Sequence, residues 1–289
     1  MKQRQRPARQ YTVGEETTLL PFLLSAVGDK SRNTIKGFLT RGQVLVDGQG
    51  VTRHDHKLLP GQTVTILPEI VKKAALPFPI LWEDEEIIVV DKPAGLLSMA
   101  SDKERERTAY RLVTDYVRAG DPKARVFIVH RLDRDTSGVL LFAKSEKVKR
   151  AFQDHWGTIV RRRGYTAVVE GTPPKQADTI RTFLRENGVH KVYSVPKGGK
   201  EAITHYQTVK QGRRYSLLEV DLSTGRKNQI RVHLSELGCP VAGDRTYGAA
   251  TDPLGRLCLH AHELSFVHPI TGKETTYRAE LPRGFRKLI

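Results

Sequence analysis

The sequence has only two cysteines, Cys239 and Cys258, and they do not form a Cys-x-x-Cys pair. Neither a disulfide framework nor a zinc site is indicated, and this usage suits a reducing compartment. No apolar run is long enough to cross a membrane, because the longest candidate, 19–27, is short and lacks the flanks of a signal peptide. We therefore expect a cytoplasmic protein that does not associate with membranes.

Common nucleotide and metal motifs are also missing. The chain has no Gly-x4-Gly-Lys-Ser/Thr phosphate loop, no Gly-x-Gly-x-x-Gly after a strand, and no His-Glu-x-x-His. His260 and His262 would share one face of a strand, but two histidines without a third partner are more typical of a structural role. We expect no metal site.

Acidic residues are scarce relative to basic ones. The chain has 48 Lys and Arg against 32 Asp and Glu, which gives a net charge of +16. The excess is not confined to a tail, since residues 1–75 hold 12 basic and 6 acidic side chains. This balance indicates a polyanionic partner, most simply a nucleic acid.

The N-terminal part has the pattern of a small module. Segments 17–27 and 31–42 have the spacing of short helices. Val44 and Val46 alternate before Asp47-Gly48, a strong hairpin signal. A proline-containing stretch without periodicity follows and is typical of a linker. The predicted parts are a basic flexible N-terminus at 1–15, a module at 16–67, a linker at 68–80 and a larger domain at 81–289.

In the larger domain, strands outnumber helices and do not alternate regularly with them. Helical spacing occurs at 107–120, 145–159 and 225–238, the last with Thr224 as a cap and Gly238 as its end. Strand-like segments lie at 85–95, 124–130, 138–144, 164–171, 202–209, 215–222, 257–267 and 274–281. The pattern favours an α+β fold with a mixed, largely antiparallel sheet.

One stretch, "VHRLDRDTSGVLLFAKS" (129–145), combines charge with a following apolar run. It places Asp133 between Arg131 and Arg134, with Asp135 two residues further on. A charged surface turn would explain the pattern. Alternatively, the arginines hold a catalytic carboxylate in its ionised form and also bind a polyanion. The stretch by itself leaves both interpretations open.

A second stretch, "RRRGYTAVVEG", places Arg161, Arg162 and Arg163 directly before Gly164 and Tyr165. Its first part matches the RNP1 signature of RNA-recognition domains, but the downstream stacking aromatics are missing. Tyr165 is either a buried strand tyrosine or an aromatic platform for a base.

A third stretch, "STGRKNQIRVHLSELG" (223–238), is also basic. If Thr224-Gly225 opens a helix, its free N–H groups and positive dipole end can face an anion. Arg226, Lys227 and Arg231 add positive charge. A solvated basic helix face would explain the same spacing.

Together these segments resemble a known family. The resemblance covers roughly residues 80–289 and rests on segments that occur in a fixed order: "VVDKPAGLLS", "HRLDRDTSG", "RGYTAVVEG", "STGRKNQIRVHL", "GCPVAGDRTYG" and "LHAHELSFVHP". They closely resemble the RluA-type RNA pseudouridine synthases. The module at 16–67 is similar to an S4 RNA-binding domain, on the basis of two helices and the hairpin "GQVLVDGQ".

The resemblance implies a reaction and roles for particular residues. Uracil leaves ribose at N1, turns and rejoins through C5, which needs neither a metal nor a cofactor. Asp133 matches the catalytic aspartate, acting as nucleophile or as base on the sugar. Tyr165 matches the tyrosine that packs on the base, and Arg231 the arginine that pairs with the aspartate. Arg131 matches the residue that fills the space of the extracted nucleotide, and Asp135 a supporting turn residue.

Further basic residues are expected to contact RNA. In the catalytic domain they are Arg131, Arg134, Arg161, Arg162, Arg163, Arg226 and Lys227, and in the small module Lys30, Arg32, Lys36 and Arg41. The family usually has His at the position of Asn228, which affects local contacts but leaves the expected Asp133–Arg231 pair intact.

The resemblance favours a monomeric enzyme that acts on ribosomal RNA or its precursor, with transfer RNA as the alternative substrate. A non-catalytic RNA-binding scaffold is disfavoured because Asp133, Tyr165 and Arg231 are all present. An aspartate-based hydrolase is disfavoured because the sequence offers neither a metal site nor a second positioned carboxylate.

Overall fold

A computed structural model describes residues 8–28, 30–40, 42–67, 75–101 and 104–289. The chain divides into two compact units, Met1–Lys72 and Lys73–Ile289. Each unit has its own hydrophobic core.

The first unit combines two short helices with small antiparallel sheets. The helices are α1 (Leu19–Val27) and α2 (Arg32–Thr40). The strands are β1 (Arg9–Thr12), β2 (Thr17–Thr18), β3 (Val44–Val46), β4 (Gln49–Gly50), β5 (Lys57–Leu58) and β6 (Thr63–Ile66). Four of them form a sheet in the order β1-β6-β3-β4, and β2 pairs with β5. Apolar side chains from both helices and from β3 and β6 fill the core.

Two local predictions for this unit have different outcomes. The hairpin signal is confirmed, because Asp47 and Gly48 have φ values of 47° and 82° and join β3 to β4. The N-terminus, expected to be flexible through residue 15, is in part ordered. Strand β1 pairs with β6, and the side chain of Val13 is buried in the core. Burial of Val13 offsets the conformational entropy that this basic segment loses when it is ordered.

The described residues of the second unit form eleven strands and four α-helices. The helices are α3 (Ala109–Gly120), α4 (Glu146–Ile159), α5 (Gln229–Glu236) and α6 (Arg283–Lys287). The first six strands are β7 (Ile80–Glu83), β8 (Ile87–Lys92), β9 (Phe127–Ile128), β10 (Ser137–Ala143), β11 (Val160–Glu170) and β12 (Ala177–Glu186). The other five are β13 (Val192–Val195), β14 (Lys200–Gln211), β15 (Tyr215–Leu222), β16 (Leu259–Val267) and β17 (Glu274–Arg278).

All eleven strands of this unit form one sheet. Its main path is β13-β12-β14-β15-β11-β16-β10-β8-β7, with β17 paired to β16 and β9 to β10. Among the pairs of strands in the described residues, only β10 and β16 run parallel. The expectation of an α+β fold with a largely antiparallel sheet is confirmed.

Three helices pack on this sheet through clusters of buried apolar side chains. Helix α3 packs on β8 and β10, α4 on β8, β10 and β16, and α5 on β11 and β15. The buried helix residues at these contacts are Val113, Val117, Val148, Phe152, Ile230 and Leu234. Full burial of each such side chain stabilises the fold by about 1.5–3 kcal/mol. Thr108 and Ser145 cap α3 and α4, each accepting a hydrogen bond from a first-turn N–H.

Some sequence expectations for this unit need correction. Strands β12 and β13 were not expected, because β12 has mainly exposed and polar side chains and so lacks the apolar alternation of a half-buried strand. Helix α5 begins at Gln229, not after Thr224, and its N-cap is Asn228. Of the expected linker, residues 68–74 lie outside the described residues, whereas Phe78 is buried and Ile80 opens β7.

Gly138 makes the parallel contact between β10 and β16. It pairs with Ala261 and has a φ of +115°, a conformation that residues with a Cβ rarely adopt. A Cβ at this position would overlap the carbonyl oxygen of Ala261. Only glycine therefore lets the strand that follows Asp133 approach β16 this closely.

We predict that Gly138→Ala lowers the free energy of unfolding by about 2–4 kcal/mol, because it adds backbone strain and a backbone clash. Gly157→Ala is the matched control, since a Cβ there meets nothing within 4 Å, and we expect it to be neutral or up to about 1 kcal/mol stabilising. Urea unfolding followed by tryptophan fluorescence reports on the second unit, which contains both tryptophans. Equal midpoints for the two variants would contradict the assignment.

Candidate active site

A cleft of about 600 Å³ opens in the second unit. Its walls come from the turn before β10, from the first part of β11, and from the segment that connects β15 to α5. Asp133, Tyr165 and Arg231, which the sequence predicted as catalytic, all line it. The fold thus brings Asp133 and Arg231, which are 98 positions apart in the sequence, to one site.

The turn that carries Asp133 is held by hydrogen bonds to its backbone. Ser98 Oγ donates to the carbonyl of Leu132 at 2.7 Å and accepts from the N–H of Leu132 at 3.1 Å. The N–H of Thr136 donates to the carbonyl of Asp133 at 3.2 Å. Because Ser98, Leu132 and Thr136 are all buried, these bonds fix the carboxylate without regular secondary structure.

Lys92, at the end of β8, is a buried anchor of the same turn. Its side chain is 0% exposed, and Nζ donates to the carbonyls of Pro93, Leu96 and Arg134 at 3.0, 2.7 and 3.0 Å. Three acceptors match the three donors of an ammonium group. Burial lowers the pKa of Lys92 to about 7. Lys92 was not among the residues predicted from the sequence, although a lysine that ends an apolar strand before Pro-Ala-Gly was a usable signal.

The electrostatic environment of Asp133 is a balance of opposed effects. Desolvation raises the pKa of its carboxyl group above the ordinary value, and the positive charges of Arg231, Arg131, Lys92 and Lys227 act against that rise. The net direction is upward. The site therefore holds a carboxylate that is basic for an aspartate, as suits a group that acts directly on a substrate.

Tyr165 forms an apolar wall of the cleft. It lies on β11 and packs against the cores beneath both α3 and α5. Burial is the main reason that the pKa of its phenol rises to about 12, with the charge of Asp133 acting in the same direction. The hydroxyl stays protonated near neutral pH and can pack against or donate to a substrate group.

His130 lines the cleft as a neutral imidazole. Its Nε2 accepts a hydrogen bond from the N–H of Leu141 at 3.0 Å, and its ring lies 5.4 Å from that of Trp156. Burial and the nearby charge of Arg163 lower its pKa to about 3. His130 thus braces the turn and does not supply charge.

Arg231 is placed at the cleft but not paired as expected. Its Nε and one terminal nitrogen donate to the two carboxylate oxygens of Asp244 at 2.6 and 2.7 Å. Among the described residues no direct ion pair joins Arg231 to Asp133. Asp244, with a side chain only 1% exposed, occupies both sides of the guanidinium fork, and Arg231 acts on Asp133 through its charge.

The segment before α5 is shaped by Gln229, which was not among the predicted site residues. Gln229 is 2% exposed, and its Oε1 accepts from Thr224 Oγ1 and from the N–H of Arg226. Its Nε2 donates to the carbonyl of Ile203 and to Thr204 Oγ1. The wall of the cleft is therefore an irregular loop tied to β14, and the expected helix N-terminus at Thr224-Gly225 is not there.

The predicted RNA contacts fall into two groups. Arg131, Arg163, Arg226 and Lys227 line the cleft, whereas Arg134, Arg161 and Arg162 do not. Arg134 and Arg161 are exposed, and Nε of Arg134 donates to the carbonyl of Gly95.

Arg162 has its own set of partners on the sheet. Its guanidinium donates to the carboxylates of Glu219, Asp221 and Glu263 at distances of 2.9–3.2 Å. These bonds occupy its donors, and the geometry argues against a direct RNA contact for Arg162.

The remaining predicted residues are Asp135 and the basic residues of the first unit. Asp135 lies at the exposed end of the turn and pairs loosely with Arg134 at 3.9 Å. Lys30, Arg32 and Lys36 are exposed in the first unit, while Arg41 lies outside the described residues.

Neither a metal centre nor a membrane span is found in the part of the chain that the structure describes. No group of three or more His, Cys, Asp and Glu side chains there could hold a metal ion. No helix there is long and apolar enough to cross a membrane.

Comparisons with known proteins identify the family. Residues 86–236, which include Asp133, Tyr165 and Arg231, match the family model of RNA pseudouridylate synthases. The chain belongs to the RNA pseudouridine synthase family. The resemblance read from the sequence is confirmed, and the enzyme is an isomerase that acts on RNA.

Relatives match this pseudouridine synthase over most of its length. An uncharacterized RNA pseudouridine synthase of Aquifex aeolicus is 34% identical over 95% of this chain and 93% of the relative. Ribosomal large subunit pseudouridine synthase D of Vibrio cholerae is 32% identical over 88% of this chain and 84% of the relative. The structure of human RNA Pseudouridylate Synthase Domain Containing 4 has a TM-score of 0.60 and 25% identity, and covers 75% of this chain and 93% of that one.

For Lys92→Met we predict a loss of about 1–3 kcal/mol in the free energy of unfolding near pH 8, because three buried carbonyls lose their donor. The pKa of Lys92 in the folded state lies below the ordinary lysine value of 10.5, so the folded state binds fewer protons than the unfolded state between about pH 7 and 10.5. Wild-type stability should rise with pH across that window by up to about 1.4 kcal/mol per unit, and the variant should lack that rise.

Urea unfolding at several pH values between 7 and 10 measures this difference. Lys147→Met, which removes an exposed lysine of α4, is the control and should follow the wild-type curve. Parallel curves for Lys92→Met and wild type would show that Lys92 does not titrate as its burial requires.

Proposed function

We propose that this enzyme converts specific uridines of ribosomal RNA to pseudouridine, with Asp133 as its catalytic group and without a cofactor. The observation that carries the proposal is the position of Asp133. Its carboxylate lies in the cleft among cationic groups, opposite a tyrosine wall, and is not in a direct ion pair among the described residues. The carboxylate therefore has no ion-pair partner there, and the positive charge around it suits a polyanionic substrate.

The proposed reaction needs little beyond that carboxylate. The N1–C1′ bond of uridine breaks, the base turns, and C5 bonds to C1′. C5 loses its proton and N1 gains one, so that the product is an isomer. Asp133 acts as nucleophile on the base or the sugar carbon, or as base on a sugar proton. Tyr165 packs on the base with its hydroxyl protonated, and Arg131 takes the space of the flipped nucleotide.

The choice of ribosomal RNA is supported by the names of relatives. Four relatives at 31–32% identity are named ribosomal large subunit pseudouridine synthase D, including those of Vibrio cholerae and Zymomonas mobilis. A large-subunit ribosomal RNA transcript is therefore the first substrate to test, and a transfer RNA transcript is the comparison. Release of tritium from 5-tritiated uridine follows the loss of the C5 hydrogen directly.

We predict that Asp133→Asn abolishes detectable turnover, because it keeps the shape of the side chain and removes the charge. RNA affinity should stay within about tenfold of wild type, since contacts to phosphates dominate affinity. Asp135→Asn is the matched control, because it makes the same chemical change in the same turn at an exposed side chain. Single-turnover tritium release and filter binding measure both properties. Retained turnover in Asp133→Asn would remove Asp133 from the mechanism and favour the scaffold alternative.

We further propose that the first unit is an S4-like RNA-binding module. Helix α2 carries Arg32 and Lys36 one turn apart, both exposed, and Lys30 precedes them. Residues four apart lie on one helix face, so the helix has a basic stripe. Ile35 and Leu39 lie on the buried side of the same helix, which keeps that stripe directed outward.

For the double variant Arg32→Glu/Lys36→Glu we predict weaker RNA binding and a slope of log affinity against log salt that is shallower by roughly 1–2. Turnover at saturating RNA should be unchanged, because α2 is not part of the cleft. Arg53→Glu/Lys57→Glu makes the same charge change at exposed positions of the same unit and should have a smaller effect. Equal slopes for wild type and the α2 variant would show that this face does not contact RNA.

A further inference from the structure

We propose that the tip of the β12–β13 hairpin, residues 187–191, contacts the RNA beside the target uridine, with the side chain of Val189 packed against an unstacked base. The tip is then a recognition element outside the cleft, and it helps to decide which sites in an RNA fit the enzyme. The inference deepens the proposed function, because it rests on RNA as the substrate of the cleft.

The hairpin exposes more apolar surface than a solvated turn needs. Val189 is 80% exposed, the highest value among the exposed large apolar side chains of the described residues. Phe183 and Tyr193, on the two strands of the same hairpin, are 39% and 38% exposed. Apolar groups that gather on one exposed element mark a binding surface, whereas single ones need no explanation.

Asn187 organises the backbone of the tip. Its Oδ1 accepts from the N–H groups of Val189 and Lys191 at 3.1 and 2.9 Å. Its backbone N–H donates to the carbonyl of Lys191 at 3.0 Å, and its carbonyl accepts from the N–H of His190 at 2.9 Å. His190 completes the turn in a left-handed conformation with φ 61°. A group that is held in place before binding loses less conformational freedom when it meets a ligand.

Two sets of hydrogen bonds hold the tip beside the active-site cleft. Nζ of Lys227, which lines the cleft, donates to the carboxylate of Glu186 and to the carbonyl of His190. The first N–H of β13 donates to the hydroxyl of Tyr247 at 3.2 Å. The same hydroxyl accepts from Nδ2 of Asn228, another residue that lines the cleft. The tip is therefore within the length of one lysine side chain of the cleft wall.

The inner face of the hairpin is anchored in a small buried core. Leu184 and Val192 pack there with Val232 of α5 and with Tyr247. Because this face is fixed on the second unit, the position of the tip relative to the cleft is fixed as well.

The charge around the tip favours RNA as the occupant of this surface. The segment 185–200 has a single acid, Glu186, which is already paired with Lys227. Its four cations are all exposed: Arg185, Lys191, Lys197 and Lys200. Cations beside exposed apolar and aromatic side chains match the phosphates and base faces of an unstacked RNA segment. Because the tip adjoins the cleft, that segment is the one that flanks the target nucleotide.

Opening of the RNA supplies a base for Val189 to contact. The target uridine must leave its stack to reach Asp133, and its departure uncovers the faces of the neighbouring bases. Apolar side chains that pack against such faces stabilise the opened strand. Valine suits this role, because its β-branched side chain has little rotamer freedom to lose.

Val189→Ser in the full-length chain should lower kcat/KM on a large-subunit ribosomal RNA transcript about five- to tenfold, because the apolar contact with the base is lost. Val209→Ser is the matched control and should equal wild type. Val209 is 58% exposed and lies roughly 30 Å along β14 from Lys200, which pairs with Leu184 near the tip. Tritium release measures the rates, and urea unfolding should give the two variants equal midpoints. An unchanged kcat/KM in Val189→Ser overturns the proposal.

Photocrosslinking locates the contact. Both native cysteines, Cys239 and Cys258, are buried, so Val189→Cys supplies an accessible thiol for an azidophenacyl group. After irradiation with the same transcript, primer extension should map crosslinks to nucleotides that flank the converted uridine. Val209→Cys should give none there. Crosslinks remote from the converted uridine, or the same crosslinks from both variants, would contradict the placement of the tip.

Failure of this inference can be told apart from failure of the proposed function. Turnover of the wild type on the ribosomal transcript tests the proposed function, and the ratio of Val189→Ser to wild type tests the tip. If wild type converts the transcript and the ratio stays near one, only the tip proposal fails. If wild type does not convert it, the proposed function fails. Filter binding of Val189→Ser against Val209→Ser then decides whether the tip contacts RNA, and equal affinities would leave the tip to a protein partner.

Discussion

The hydrogen bonds of the buried Lys92 amino group are the interaction on which the geometry of the active site depends. It links the end of a central strand to two backbone segments, the Pro93–Leu96 turn and the Asp133 turn, through three carbonyls. A turn of this kind lacks the regular backbone hydrogen bonds of paired strands. Its carbonyl groups still need hydrogen-bond donors where water is excluded. One buried amino group does this for both segments. A buried lysine is costly, and its cost is offset only while the two turns converge on it.

The active-site cleft combines desolvation of Asp133 with an excess of positive charge. Desolvation alone would favour a protonated Asp133, and four cations act in the other direction. An incoming RNA adds phosphates, which screen some of these cations. The Asp244–Arg231 pair lies behind this balance in a site shielded from solvent. Its contribution therefore changes less with RNA binding than that of the exposed Arg131.

Much of the site could be predicted from the sequence, because its residues lie in segments whose residue types and order are specific. Asp133, Tyr165, Arg131, Arg226 and Lys227 were placed correctly at one cleft for that reason. Which aspartate pairs with an arginine is not encoded in such a segment. It depends on the three-dimensional approach of the 243–248 turn, whose geometry depends on a glycine that no side chain could replace.

The fold shows the same limit. Strands with an apolar run, such as β10 and β15, were predicted near their observed bounds. Strands β12 and β13 were missed, because their stability comes from backbone pairing with β14 and from packing of a few side chains against α5. The start of α5 was misplaced because the side-chain amide of Gln229 holds the preceding loop by hydrogen bonds and ties it to β14. Long-range hydrogen bonds of one buried amide leave no periodic signal in the sequence.

The neutrality of His130 has a consequence for the enzyme as a pH-responsive system. Burial lowers the pKa of His130 to about 3 and that of His233 and His260 to about 4. None of these three imidazoles changes protonation across the range in which a cell's interior varies. The groups at the active centre whose protonation can follow acidification are therefore Lys92, whose pKa is lowered to about 7, and Asp133, whose carboxyl pKa is raised. A catalyst built in this way keeps a constant charge on its binding wall while its reactivity changes, so substrate capture and chemistry respond to pH independently.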